Sequence, residues 1–145
     1  MYRVLLVDDE AHAVRGLEAG VPWERLQISE VYTAHSLKQA QEAFEKAPID
    51  LMVCDIEMPQ GSGLELLAWV RGRHPRTETI FLTCHSDFAY TKQAIRLSSF
   101  DYLLKPVDYE ELASVLDKAI DKIRSDRERQ TFEDIHRKYA KLWEV

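Results

Sequence analysis

Long apolar runs are missing from this chain of 145 residues. None approaches the roughly 20 residues that a membrane-spanning helix needs. Cysteine is nearly absent. Cys54 and Cys84 are the only two, they lack metal-ligand spacing, and both read as small buried residues rather than as a disulfide or a zinc site. A surplus of positive charge is lacking too. The net charge of −6 argues against direct nucleic-acid binding by this segment, because phosphate contacts draw on Lys and Arg. No internal repeat, low-complexity tract or signal-peptide pattern is visible, which sets the expectation of a cytoplasmic protein. The length suits one domain with a real core and little more.

Four short apolar runs each end in a reactive polar residue: Val4-Leu-Leu-Val-Asp8-Asp9, Leu51-Met-Val-Cys-Asp55, Ile80-Phe-Leu-Thr83 and Tyr102-Leu-Leu-Lys105-Pro106. Runs of this length bounded by turns read as buried parallel strands. Strands are expected at 2–7, 31–34, 49–54, 79–82 and 100–104. Between them lie helical patterns: Val14, Leu17 and Val21 before Pro22; a helix opened by Ser36 with Gln39 completing a capping box; Leu64, Leu67 and Val70 before Arg73-His-Pro75; a fourth helix capped by Asp87; and a fifth opened by Asp108 and Glu111, facing inward with Leu112, Val115, Leu116, Ala119, Ile120 and Ile123. Strands alternating with helices predict an α/β fold with a doubly wound five-stranded parallel sheet.

Open α/β sheets bind ligands beyond the carboxyl ends of their strands. The four runs would therefore bring three aspartates, a hydroxyl and an ammonium together. Carboxylates this close repel each other, and at least one pKa should rise without a counterion. A hard cation such as magnesium relieves the conflict through oxygen ligands. Lys105 supplies a mobile positive donor. A carboxylate beside such groups is a competent nucleophile toward phosphorus. Taken singly, Asp9 is as readily a helix cap, Thr83 a strand end and Lys105-Pro106 a loop start. Their coincidence on different strand ends is what points to a site.

Asp8-Asp9, the Asp55-Ile-Glu-Met-Pro loop, Thr83 and the Asp101-Tyr-Leu-Leu-Lys105-Pro106 run resemble the receiver domain of bacterial two-component response regulators, over residues 2 to 124. The resemblance implies the flavodoxin-like strand order 2-1-3-4-5. It implies Asp55 as phosphoacceptor, Asp9 and Asp55 as side-chain Mg2+ ligands with Asp8 acting through water, and the backbone carbonyl of Glu57 as a further ligand. It also implies Lys105 as the partner of the acceptor and then of the phosphoryl group, a cis Lys105-Pro106 bond, Thr83 and Tyr102 as the switch pair, and Glu57 and His85 as tuners of phosphoryl lifetime. Gly61, where many receivers carry methionine, is expected to loosen its loop, and Cys84 stands where alanine or glycine is common. Trp23 and Leu26 after Pro22, with Ser86-Asp-Phe-Ala-Tyr90, are similar to receivers joined to AraC-type helix-turn-helix output domains; both residues would serve equally as plugs at a core edge.

On this reading the protein is a phosphorylated switch and not an enzyme, partnered by a sensor histidine kinase, touching DNA only through an output domain outside this segment. A homodimer is expected through the face made by the fourth helix, fifth strand and fifth helix (Tyr90, Lys92, Arg96, Asp117, Lys118), or through the C-terminal helix. A stand-alone receiver acting as phosphate sink or protein-binding module is the alternative. A magnesium-dependent phosphohydrolase of the haloacid-dehalogenase type is a distant one, because that family uses Asp-x-Asp on its first strand whereas Asp8 and Asp9 are adjacent. After Ile123 charged residues dominate, and a second stripe follows at Phe132, Ile135, Tyr139 and Leu142, with Trp143 beside it. Residues 125–145 are therefore expected to be a helical linker, the start of a coiled coil, or a stretch docked on its own domain.

Overall fold

A computed structural model of the chain describes residues 1–59, 61–84 and 99–142. Five strands, β1 (Tyr2–Val7), β2 (Ile28–Ala34), β3 (Leu51–Asp55), β4 (Glu78–Thr83) and β5 (Asp101–Leu104), form one sheet. The order is β2-β1-β3-β4-β5 and every pairing is parallel. Three helices, α1 (Ala11–Gly20), α2 (Leu37–Lys46) and α3 (Gly63–Arg73), precede a long C-terminal helix, Tyr109–Leu142. The fourth helix expected at Asp87, together with Tyr90, Lys92 and Arg96, lies outside the described residues, as does Trp143.

The strands are buried on both faces, and their side chains alternate between two cores. Val4, Leu6, Val53, Ile80 and Leu82 meet α1 and the C-terminal helix through Val14, Leu17, Leu112, Leu116 and Ile120. Leu5, Val7, Met52 and Phe81 meet α2 and α3 through Phe44, Leu66, Leu67 and Val70. Trp23 and Leu26 close the edge of the first core, and the Trp23 indole N–H donates to the carbonyl of Glu18 at 3.2 Å.

Several boundaries differ from the sequence expectation. β2 begins at Ile28, three residues early, because its outward positions are polar and half-exposed and the apolar signal weakens there. β3 starts at Leu51; Ile49 is buried without being in the strand. The capping of α2 is only partly the expected box. Ser36 accepts from the Gln39 amide, but the Gln39 side chain takes the amide of His35, one residue outside the cap. Asp108 accepts from the amides of Glu110 and Glu111. Cys54 is buried as expected, whereas Cys84 is exposed, because the chain leaves the sheet at Thr83.

The C-terminal helix has 34 residues and runs without a break through the position where the sequence pattern changes. Its inward face is buried to Ile123. On either side of that point ion pairs hold it: Lys122 to Glu78, at the start of β4, and Arg127 to Asp50, just before β3. The Arg127 guanidinium also lies over the Tyr2 ring, 5.4 Å from its centroid. None of the helices is long and apolar enough among the described residues to cross a membrane.

Candidate phosphoacceptor site

The order β2-β1-β3 reverses the direction of chain progression between β1 and β3, which opens a crevice beyond their carboxyl ends. Asp8 and Asp9 follow β1, and Asp55 ends β3. Ligand oxygens of all three lie within 4.8 Å of one another. Asp8 is 1% exposed and Asp55 6%, while Asp9 faces solvent. Asp9 does not cap α1. Glu10 occupies that position without a side-chain cap, and the carboxylate of Asp8 takes the Glu10 amide at 3.0 Å.

Lys105 enters from the end of β5 across a cis peptide to Pro106. Its Nζ donates to Oδ2 of Asp8 at 2.9 Å and lies 3.5 Å from Oδ2 of Asp55. The ammonium is therefore closer to Asp8 than to the expected acceptor. Both Asp8 oxygens are engaged, one by Lys105 and one by Glu10. Asp55 is held through Oδ1 by the Glu57 amide at 3.3 Å.

Burial pushes the Asp55 carboxyl up to about 6, opposed by the Lys105 charge and reinforced by that of Asp8. Burial also raises Asp9, its own backbone amide works against this, and the Asp8 charge adds to the rise. For Lys105, burial disfavours the ammonium, but the Asp8 hydrogen bond and the charges of Asp55 and Asp8 outweigh it and the pKa is raised. Among the described residues the cluster is thus short of positive charge. Its donors are hard oxygens on buried or half-solvated carboxylates, which fits a small divalent cation.

The backbone around Asp55 is fixed by a glycine. A Cβ on Gly63 would stand 2.4 Å from the carbonyl oxygen of Asp55. Only glycine lets α3 begin so close to the strand end, where its amide donates to Ile56 at 2.8 Å. Ser62 caps α3 by accepting from Glu65. Gly61 adopts φ +117°, a conformation that disfavours other residues.

Thr83 ends β4, beside β3 in the sheet. Its hydroxyl donates to Oε1 of Glu57 at 2.9 Å. The sequence expectation placed both residues at this end of the sheet but did not join them. Their separation of 26 positions gives no local signal, and the contact arises only because β3 and β4 are neighbours. Tyr102, in β5, is 37% exposed. His85 lies outside the described residues.

The family model of the response regulator receiver domain matches residues 4–117. The chain belongs to this family. It is 34% identical to an uncharacterized response regulatory protein of Staphylococcus epidermidis over 85% of this chain and 48% of that one. It is 32% identical to the transcriptional regulatory protein HptR of Staphylococcus aureus over 83% of this chain and 47% of that one. The receiver domain of AraT, a response regulator from Geobacillus stearothermophilus, superposes with a TM-score of 0.80 at 32% identity, covering 87% of this chain and 98% of that one. A two-component transcriptional regulator AraC from Clostridium phytofermentans gives 0.79 at 26% identity, covering 89% and 99%. The receiver thus spans about half the length of these curated relatives, and its structural neighbours include receivers of AraC-type regulators.

Proposed function

We propose that this receiver accepts a phosphoryl group on Asp55 from a phosphohistidine of a sensor histidine kinase and passes the event on as a conformational change. The observation that carries the reading is the buried Asp55 carboxyl, with Lys105 at 3.5 Å and two further aspartates beside it. An Asp55 oxygen attacks phosphorus, the phosphorus–nitrogen bond breaks, and its electron pair stays with the departing imidazole. Asp9 and Asp55 would hold Mg2+ through their side chains and Glu57 through its carbonyl. Asp8, whose oxygens are already engaged, would act through water. When bound, the cation supplies positive charge to the crowded carboxylates and to the phosphoryl oxygens. Lys105 holds Asp8 and Asp55 together and is placed to move its hydrogen bond to the phosphoryl group. The chain promotes only its own phosphorylation and dephosphorylation.

Thr83 and Tyr102 would report the event. A hydrogen bond to a charged group contributes roughly 1.5–3 kcal/mol, so Thr83 and Lys105 together gain about 3–6 kcal/mol on that scale. Near-complete switching takes about 5.5 kcal/mol. Thr83 must first leave the Glu57 carboxylate, exchanging one anionic acceptor for another, so its net gain is smaller. A partial population shift, completed by dimerisation, follows from this balance. Glu57 and His85, at the positions flanking the acceptor and switch residues, would set phosphoryl lifetime; an unchanged half-life in the double alanine variant refutes that role.

Residues 1–124 form the switch, and residues 125–145 lead to an output. The relatives' names and the AraC-type neighbours support transcription, exerted in the cytoplasm through a DNA-binding domain beyond this segment. A receiver that acts only as a phosphate sink or protein-binding module would carry no such domain. Incubation with acetyl phosphate and Mg2+, followed by intact-mass measurement, tests the core of the proposal. One phosphoryl adduct per chain is expected. Continuous release of phosphate from simple phosphomonoesters would instead identify a hydrolase.

A further inference from the structure

We propose that Tyr109 is a positioning residue for Lys105, held by laying its ring into a slot that two glycines open in α1. The inference rests on the proposed phosphoryl transfer to Asp55, in which Lys105 takes part.

Glycine is among the poorest residues for a helix, yet α1 carries Gly16 and Gly20 within its ten residues. Neither has the positive φ that calls for glycine, as Gly61 does. Four positions apart, they share one side of the helix. The space they leave is filled by Tyr109. A Cβ on Gly20 would stand 2.3 Å from Cδ2 and 2.9 Å from Cγ of the Tyr109 ring. One on Gly16 would stand 2.6 Å from the Tyr109 hydroxyl oxygen. Cγ is the root of the ring, so turning the ring about its own axis would not clear it. Gly72 in α3 is the contrast, because a Cβ there meets nothing within 4 Å.

Tyr109 joins the two segments whose charges meet. It opens the C-terminal helix shortly after Lys105. α1 starts at Ala11, just past Asp8 and Asp9, and the Asp8 carboxylate takes the Glu10 amide at its head. The segment that carries Lys105 is fixed at its start, where the Lys105 amide donates to the Thr83 carbonyl at 2.8 Å. At its far end Asp108 caps its own helix. Val107 and Leu112 rest on the core, and Tyr109 adds the direct tie to α1. Lysine is a compact charge on a flexible stem. The place of its backbone therefore decides whether Nζ meets Asp8 at 2.9 Å and Asp55 at 3.5 Å.

Phosphorylation by acetyl phosphate with Mg2+ tests the proposal. Tyr109→Ala should slow it by about tenfold, within the roughly 10²-fold that a misplacement of about 1 Å can cost. Tyr109→Phe, which keeps the ring, should restore the wild-type rate. In a Lys105→Ala background Tyr109→Ala should change the rate by less than about twofold, because the group it positions is gone. A merely structural loss would slow both backgrounds alike. Gly20→Ala should reproduce the slowing when Tyr109 is present and lose its effect beside Tyr109→Ala, while Gly72→Ala should be silent. Circular dichroism verifies the fold, and Tyr109→Leu serves if the alanine variant loses structure. Equal slowing in both Lys105 backgrounds, or a Tyr109→Ala rate equal to wild type, overturns the proposal. A wild-type chain that takes up no phosphoryl group overturns the functional reading instead. The positioning is then read from the Lys105 Hε resonances of the unphosphorylated chain. Tyr109→Ala should shift them and Gly72→Ala should not; unmoved resonances overturn the proposal.

Discussion

The two ends of the sheet use the same kinds of residue in opposite ways. At the amino end, two carboxylates meet cations of the C-terminal helix, Asp50 with Arg127 and Glu78 with Lys122, which also lies 3.8 Å from Asp126. At the carboxyl end, Lys105 meets Asp8 and Asp55, with Asp9 beside those two. The first arrangement gives each of these carboxylates a cation and holds a helix. The second has a surplus of negative charge that a cation and a phosphoryl group can use. Both ends are joined by the same two strands: Asp50 and Asp55 bracket β3, while Glu78 and Thr83 are the first and last residues of β4.

Removing the Lys105 ammonium at the signalling end should have the largest effect. Lys105→Ala is expected to slow phosphorylation by acetyl phosphate by about 10²–10³-fold, the typical cost of one charge-stabilising donor; a rate within a few-fold of wild type breaks the distinction. At the other end the loss should appear in stability instead. Lys122→Ala leaves the Glu78 carboxylate buried and without that partner, at a cost of about 1–3 kcal/mol. Replacing Glu78 with Val at the same time should recover most of it. Chemical denaturation of the single and double variants measures both, and phosphorylation rates should not change.

The surplus at the signalling end also predicts a direction with pH. Asp55 is raised by burial from 3.8 to about 6. Between those values the folded chain keeps a proton that the unfolded chain has lost, so the contribution of this group to stability falls as pH rises through the window and levels off above it. Denaturation across that range should show the slope, and Asp55→Asn should flatten it. A smaller effect is expected from Glu57→Ala, which removes the carboxylate that accepts from the Thr83 hydroxyl. The receiver should then occupy its switched form a few-fold more often without phosphate, on the scale of one hydrogen bond, visible as shifts of the Thr83 and Tyr102 amide resonances. Unmoved resonances would remove Glu57 from the switch.

Much of the signalling end was legible because buried parallel strands write themselves as apolar runs, and the residue after each run marks the carboxyl edge. β1, β3 and β4 followed this rule, and their terminal residues fell where the runs ended. β2 was less clear because it lies at the sheet edge with polar outward positions. The family's strand order came from the resemblance of the joint motifs. The amino end was not legible. Asp50 and Glu78 merely precede apolar runs, and nothing local ties them to Lys122 and Arg127, which are 44 and 77 positions away. Their pairing needs the C-terminal helix to fold back under the sheet. The Glu57–Thr83 bond escaped for a related reason, since it depends on the adjacency of two strands. The need for glycine at 63 follows from backbone packing that composition does not reveal.

The central claim, that carboxylates crowd one end of the sheet among the described residues while those at the other end are each paired with a cation, is tested most directly by thermal melts with and without Mg2+. Wild type and Lys122→Ala should both gain stability with rising Mg2+ and saturate, as a ligand that binds only the folded state requires. Asp9→Asn should lose most of that gain. If Asp9→Asn responds like wild type, or if Lys122→Ala loses the response, the division of labour between the two ends is wrong.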